Sequence, residues 1–348
     1  MSAALQSLDR LLRERGTEHD FQAFVVACEF DRAGRQVAFA LGDGTLRIVS
    51  LEARTAARRI EAHDGGVLAL AADPVEGFVS GGDDGKLLRI GADGGVRELA
   101  SFGGKWVEQV AGFADGKTAL IACAVGRTLH LFDGGGAGLK QFSHPSTVTG
   151  IAFDARGKRV GASHYNGASL WFVASKSENP RLLEWKGSHT GIAISPDGDS
   201  VVTAMQENAL HGWRLSDGQH MRMSGYPGKP ESMAFSRGGR WLVTAGAESV
   251  VLWPFFGGGP MGKSPVELPG LGESICTRVA CSPREDLLAA GFSDGLVISG
   301  SPAAEKILPI CGPGRGPVSA MGWSPDGTFL AFGTETGFAA VLDFRAAT

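Results

Sequence analysis

The chain has 348 residues, a formal charge of −4 and only 20% charged residues, so it offers no basic stripe of the kind that phosphate neutralisation requires, and nucleic acid is not an expected partner. Its 52 glycines are spread along the whole length while apolar residues still make up 43%, which points to many tight turns between short strands rather than to linkers. No run of about 18 apolar residues occurs and the first residues carry charge inside their one apolar stretch, so the expectation is a cytoplasmic protein without a membrane partner.

In chain order, the first element is residues 1–16, MSAALQSLDRLLRERG, in which Leu5, Leu8, Leu11 and Leu12 are spaced as one face of a short helix. The same region has a second reading, in which residues near 10–17 form an outer strand that closes the last unit of the fold. From residue 17 onward one pattern repeats: an apolar run, a turn of the S-P-D-G type, a second apolar run, a short polar turn and a third run. Examples are VVACEFDRAG with QVAFALGDGTLRIV near the start, HTGIAISPDG with SVVTAMQENALHGW in the middle, and VSAMGWSPDG with FLAFGTETGFAAVL at the end.

The last apolar residue before each turn is Phe30, Ala72, Gly112, Phe153, Ile194, Phe235, Cys281 and Trp323, a spacing of 40–46 residues. Looser fourth runs such as AARRIEA, RLLEW and KILPIC complete four strands per unit. A single such sheet cannot bury both faces, so the units must stack, and a ring gives each two neighbours. Small residues one and three places before the marker, mostly Ala and Gly, fit a crowded axis where the first strands converge.

These features resemble the WD repeat family, with its period of about 40–45 residues and four strands per blade. The S-P-D-G turn stands at Ser195–Gly198 and Ser324–Gly327, and the dipeptide ending the third strand survives as Phe132-Asp133 and Leu342-Asp343. The resemblance implies an all-β, closed β-propeller of four-stranded antiparallel blades over residues 17–348, eight blades from the repeat count with seven as the alternative. It also implies structural tethers, in which a His before the first strand meets an Asp in the turn between second and third strands: His63 with Asp84, His144 with Asn166, and His19 with Asp43.

Five cysteines, an odd number without a C-x-x-C pair, read as reduced core thiols. The histidines show no H-x-x-x-H or H-x-H spacing; His144 and His164 with Tyr165 are the best metal candidates, and the expectation is no metal and no cofactor. Glu29, Gln109 and Arg278 break the rule of small inner residues, so Glu29 and Arg278 are expected to pair in the channel, directly or through water.

On one rim the turns carry Asp43, Asp83, Asp84, Glu207, Glu248, Asp294 and Glu335 against Arg127, and the loops between repeats add Phe21, Trp106, Trp185, Tyr226 and Arg315, with Tyr165 beside them. Acidic turns can steer a basic partner, and aromatic residues with Arg are common binding hot spots. The expected function is a non-catalytic protein-interaction scaffold, a monomeric propeller working inside a complex. A small-ligand or metal carrier in a delivery pathway is the alternative. A propeller hydrolase or lactonase ranks below both, because it needs carboxylates or histidines converging on a channel that is mostly Ala and Gly.

Overall fold

The computed structural model describes residues 7–54, 56–176, 179–303 and 307–345, so Leu5 of the leucine series lies outside the described residues. Every strand pairing is antiparallel, and the strands form radial sheets in which each repeat runs from the axis outward in sequence order. The first repeat is typical: Val25–Phe30, Gln36–Leu41, Thr45–Ser50 and Ala57–Glu61 pair in that order.

The turn joining first and second strands is built the same way throughout. A carboxylate or hydroxyl at its start accepts backbone N–H groups further along the turn. Asp31, Asp73, Asp115 and Asp154 do this in the first four repeats, and Ser195, Ser236, Ser282 and Ser324 in the last four. In the two S-P-D-G copies the serine hydroxyl also donates to the aspartate two residues on, and Gly198 and Gly327 supply the positive φ (75° and 68°) that brings the chain back.

The core lies between neighbouring sheets. Val25, Phe30, Phe39 and Val49 of the first repeat pack on Phe329, Ala331 and Val341 of the last, and Ala168, Leu170 and Leu183 of the fourth pack on Val201 and Trp213 of the fifth. Each fully buried Phe or Leu in such a seam contributes about 1.5–3 kcal/mol. The inner strands touch in cyclic order, that of the last repeat (Val318–Trp323) lying against that of the first and that of the seventh (Cys276–Cys281). The result is a closed β-propeller of four-stranded antiparallel blades.

Counted as hydrogen-bonded sheets the ring has seven members, the alternative count, six of four strands and one of six. The reason is local. Only Lys186, Gly187 and Ser188 separate the outer run of the fourth repeat from the inner run of the fifth, and the chain stays extended through Arg181–Ile194. Tyr165 pairs with Ser188, so the hydrogen bonding of repeats four and five runs together into one sheet, although their inner strands keep separate places around the axis.

At the N-terminus the two expected structures occur in succession instead of competing. Helix α1 covers Arg10–Arg15, and an outer strand, Gly16–Asp20, pairs with Phe338–Asp343 to complete the last blade. The strand therefore starts later than residue 10, because Leu12 is buried against Ile310, Cys311 and Val318 and holds the preceding turn helical. Ahead of the helix, buried Asp9 accepts from the Gly312 N–H (2.6 Å) and pairs with Arg315 (3.0 Å). Burial alone would raise the Asp9 carboxyl, but Arg315 and the Gly312 N–H bring it below the ordinary value.

Candidate protein-binding rim

The turns between second and third strands and the loops between repeats share one rim. For example, the Ala62 and His63 N–H groups reach the Gly44 carbonyl, and Val107 N–H reaches that of Gly82. Asp43, Arg127, Glu207 and Glu335 are exposed there, and Asp84 and Asp294 are half-buried. Three of these carboxylates also hold their own turns, Asp43 accepting from Thr45 N–H, Asp84 from Lys86 N–H and Asp294 from Leu296 N–H. Burial pushes the Asp43 carboxyl up, but bonds from Thr45 and the charges of Arg47 and Arg59 outweigh it and keep the group acidic. Glu207 accepts from Ser188 N–H at 3.1 Å, whereas the Asp83, Glu248 and Glu335 carboxylates accept no backbone N–H among the described residues.

Of the aromatic positions, Trp106 (56% exposed) and Tyr165 (57%) stand out from the rim. The other three do not. Phe21 stacks on His19 and packs against Phe39. Trp185 is half-buried because its ring lies 3.9 Å from His211, nearly parallel to it. Tyr226 is buried, its hydroxyl receiving the Trp253 indole N–H and meeting the Thr244 hydroxyl, both at 2.6 Å. Arg315 is neutralised by Asp9 and is not a free rim cation. Phe24 and Leu271, 43% and 50% exposed on the same rim, were missed; a lone apolar residue in a loop was the only signal.

One of the three tethers forms as expected. His63 Nδ1 lies 2.9 Å from Asp84 and Nε2 2.9 Å from the Ser80 hydroxyl. His144 instead uses the Arg127 carbonyl (3.2 Å) and the Trp171 indole N–H (3.1 Å), while Asn166 turns away to accept from Gly187 N–H. Burial drives the His144 pKa down to about 4, so its ring is neutral, with Nδ1 donating and Nε2 accepting. His19 does not reach Asp43 because it lies inside the closing strand, opposite Ala339, rather than after it.

His144 and His164 have both ring nitrogens engaged, His164 with the Tyr165 carbonyl and the Ser169 hydroxyl. Among the described residues no group of three or more His, Cys, Asp or Glu is placed to hold a metal ion. In the channel Glu29 and Arg278 make no direct pair. Arg278 donates to the Ser319 and Thr277 carbonyls and lies 3.7 Å from Glu231, bridging three repeats. Glu29 faces Arg32 instead. Its burial raises the carboxyl to about 7, with the Arg32 charge opposing the rise. Gln109 is half-buried on the inner strand of the third repeat.

The WD domain, G-beta repeat model matches residues 54–88, which hold the His63, Ser80 and Asp84 tether, and the same architecture runs around the ring. The chain is similar to the WD40-repeat proteins. Autophagy-related protein 16 of Arabidopsis thaliana is 24% identical over 311 residues, 85% of this chain and 59% of that protein. Telomerase protein component 1 of Rattus norvegicus is 27% identical over 164 residues, 45% of this chain and 6% of that protein. The chain thus spans 59% of the first relative's length and 6% of the second's. In fold it is similar to the crystal structure of the computationally designed Ika8 protein, with a TM-score of 0.75, 21% identity and coverage of 93% of this chain and 98% of that one. A WD40 propeller is in general a protein-interaction scaffold.

Proposed function

We propose that this propeller is a non-catalytic scaffold that holds a protein partner with a basic surface on the acidic rim, working as a monomeric ring within a larger complex. The observation that carries the reading is the conjunction of exposed Trp106 and Tyr165 with Asp43, Glu207 and Glu335 on one rim. Aromatic side chains held out from a rigid frame lose little entropy on binding, and like charges around them raise the encounter rate with a cationic partner. The rim suits this role better than the channel, whose inner strands carry mostly small residues one and three places before each turn. Its cysteines are free thiols, most of them buried, which fits a cytoplasmic setting.

Affinity capture from the native cell tests the reading, comparing the wild type with Trp106→Ala and with an Asp294→Asn, Glu335→Lys double variant. Asn keeps the acceptor that Leu296 N–H needs while removing the charge. Loss of a reproducible partner by about tenfold with Trp106→Ala, and salt-sensitive weakening with the double variant, support it. Capture unaffected by both would refute it.

A further inference from the structure

Where the outer strand of the fifth repeat (His220–Ser224) ends, the chain turns at Gly225 and runs under the sixth repeat. Between that turn and the outer strand Val266–Pro269 lies a groove of 280 Å³. Its floor is Tyr226 and Trp253, 7% and 8% exposed, and its walls carry the exposed carboxylates Glu248 and Glu267. No Lys, Arg or His is among its lining residues.

The floor is fixed by a directed chain of hydrogen bonds. Trp253 donates its indole N–H to the Tyr226 hydroxyl; Thr244 spends its hydroxyl proton on the Val251 carbonyl, so Tyr226 must donate to Thr244. With the indole N–H and the hydroxyl committed within this chain, the two aromatic side chains offer the groove no free polar hydrogen. On the wall, Glu267 is oriented by the Ser249 hydroxyl, which donates to Oε2 at 2.6 Å, and Oε1 has no such bond among the described residues. A preset aromatic floor below two carboxylates suits a planar cation, which can lie on the rings and reach the acids with its N–H edge.

We propose that this groove receives an arginine side chain from a basic segment of the partner. The proposal rests on the reading that the rim binds a basic protein, and it deepens that reading by naming a residue type and its seat. Two carboxylates exclude a phosphate or a lipid headgroup, and an ammonium lacks the flat face that the rings would cover.

The test titrates Nα-acetyl-arginine amide into the full ¹⁵N-labelled chain, following the indole N–H of Trp253 assigned through Trp253→Phe. A saturable shift of that resonance is expected. Nα-acetyl-citrulline amide, of the same shape without the charge, should bind at least about tenfold more weakly, as should the arginine probe to a Glu248→Gln, Glu267→Gln variant. Both glutamates are exposed, so the variant should keep the wild-type amide spectrum. No shift at Trp253, or equal binding of citrulline, would overturn the site, and equal binding of Nα-acetyl-lysine amide would overturn the choice of arginine. Partner capture that depends on Trp106 but ignores the double glutamine variant would refute the groove while leaving the rim reading standing. Arginine binding without any Trp106-dependent partner would do the reverse.

Discussion

The two rims of the ring are made on different plans. On one, eight turns repeat a single device, an Asp or Ser accepting the N–H groups of its own turn. On the other, neighbouring repeats solve the same problem of fixing a loop to a blade with different chemistry: His63 with Asp84 and Ser80, His144 with Trp171, Tyr226 with Thr244 and Trp253, Asp9 with Arg315. A uniform rim is what folding alone demands of a repeat, since each copy faces the same local geometry. A varied rim means that each blade edge there has its own shape and charge, which is where partner selectivity can be written.

Substitutions that break the tethers one at a time sharpen this contrast. The largest effect is expected for Tyr226→Ala, which opens a cavity and strands the Trp253 and Thr244 polar groups; thermal unfolding should report a loss of about 3–5 kcal/mol. Asp9→Ala, which leaves Arg315 and the Gly312 N–H without their acceptor, should cost about 2–3 kcal/mol in urea unfolding. Because the Asp9 carboxyl is held below its ordinary value, its contribution is complete above pH 3.8 and fades as pH falls through the folded value. Asp154→Ala, on the uniform rim, removes the acceptor for Lys158 and Arg159 N–H and should cost about 1–2 kcal/mol by the same measurement. Asp154 also pairs with Arg159 (2.8 Å), so its like partner is Asp73, which holds Val75 and Glu76 N–H and pairs with Arg89 (2.6 Å). An equal loss at Asp73 would fit a shared device, and a widely different loss would break the contrast.

Glu29 gives a subtler signature in the channel. Its folded value of about 7 exceeds the ordinary 4.5, so the folded chain holds this proton more tightly than the unfolded one. That contribution is full below pH 4.5 and is lost as pH rises through 7. Glu29→Gln should therefore flatten the pH profile of stability between those values and leave the variant the more stable form at pH 8. A wild-type profile no steeper than that of the variant would contradict this. The smallest effect on stability belongs to Trp106→Ala, within about 0.5 kcal/mol, since the ring is exposed, and a larger loss would argue that Trp106 serves the fold.

The sequence carried the ring well because its signals are local and recur. The turn Asp or Ser and the alternation along each strand act within a few residues, and the His63–Asp84 tether spans only 21. What escaped it was set by competition and distance. Nothing within repeat four says that Trp171 will take the His144 nitrogen intended for Asn166, because both lie within reach and only packing decides. Tyr226 read as an exposed anchor because it occupies a loop, yet the hydroxyls and indole of the sixth repeat draw it inward. Asp9 and Arg315 are 306 residues apart, beyond any period, and the merged sheet of repeats four and five follows from a short connection whose effect appears only when two blades meet.

The closing strand has a consequence for synthesis. Gly16–Asp20 emerges from the ribosome long before its partner Phe338–Asp343, and Arg15 reaches the Arg345 carbonyl across a sequence separation of 330. At about 5–20 residues per second, that interval leaves the early strand waiting many seconds with its backbone groups unpaired. During that wait an unpaired edge is open to any other strand, including the same segment of a second nascent copy. Translation speed and chaperone occupancy over this interval should thus govern the yield of closed rings more than the stability of the finished blades does.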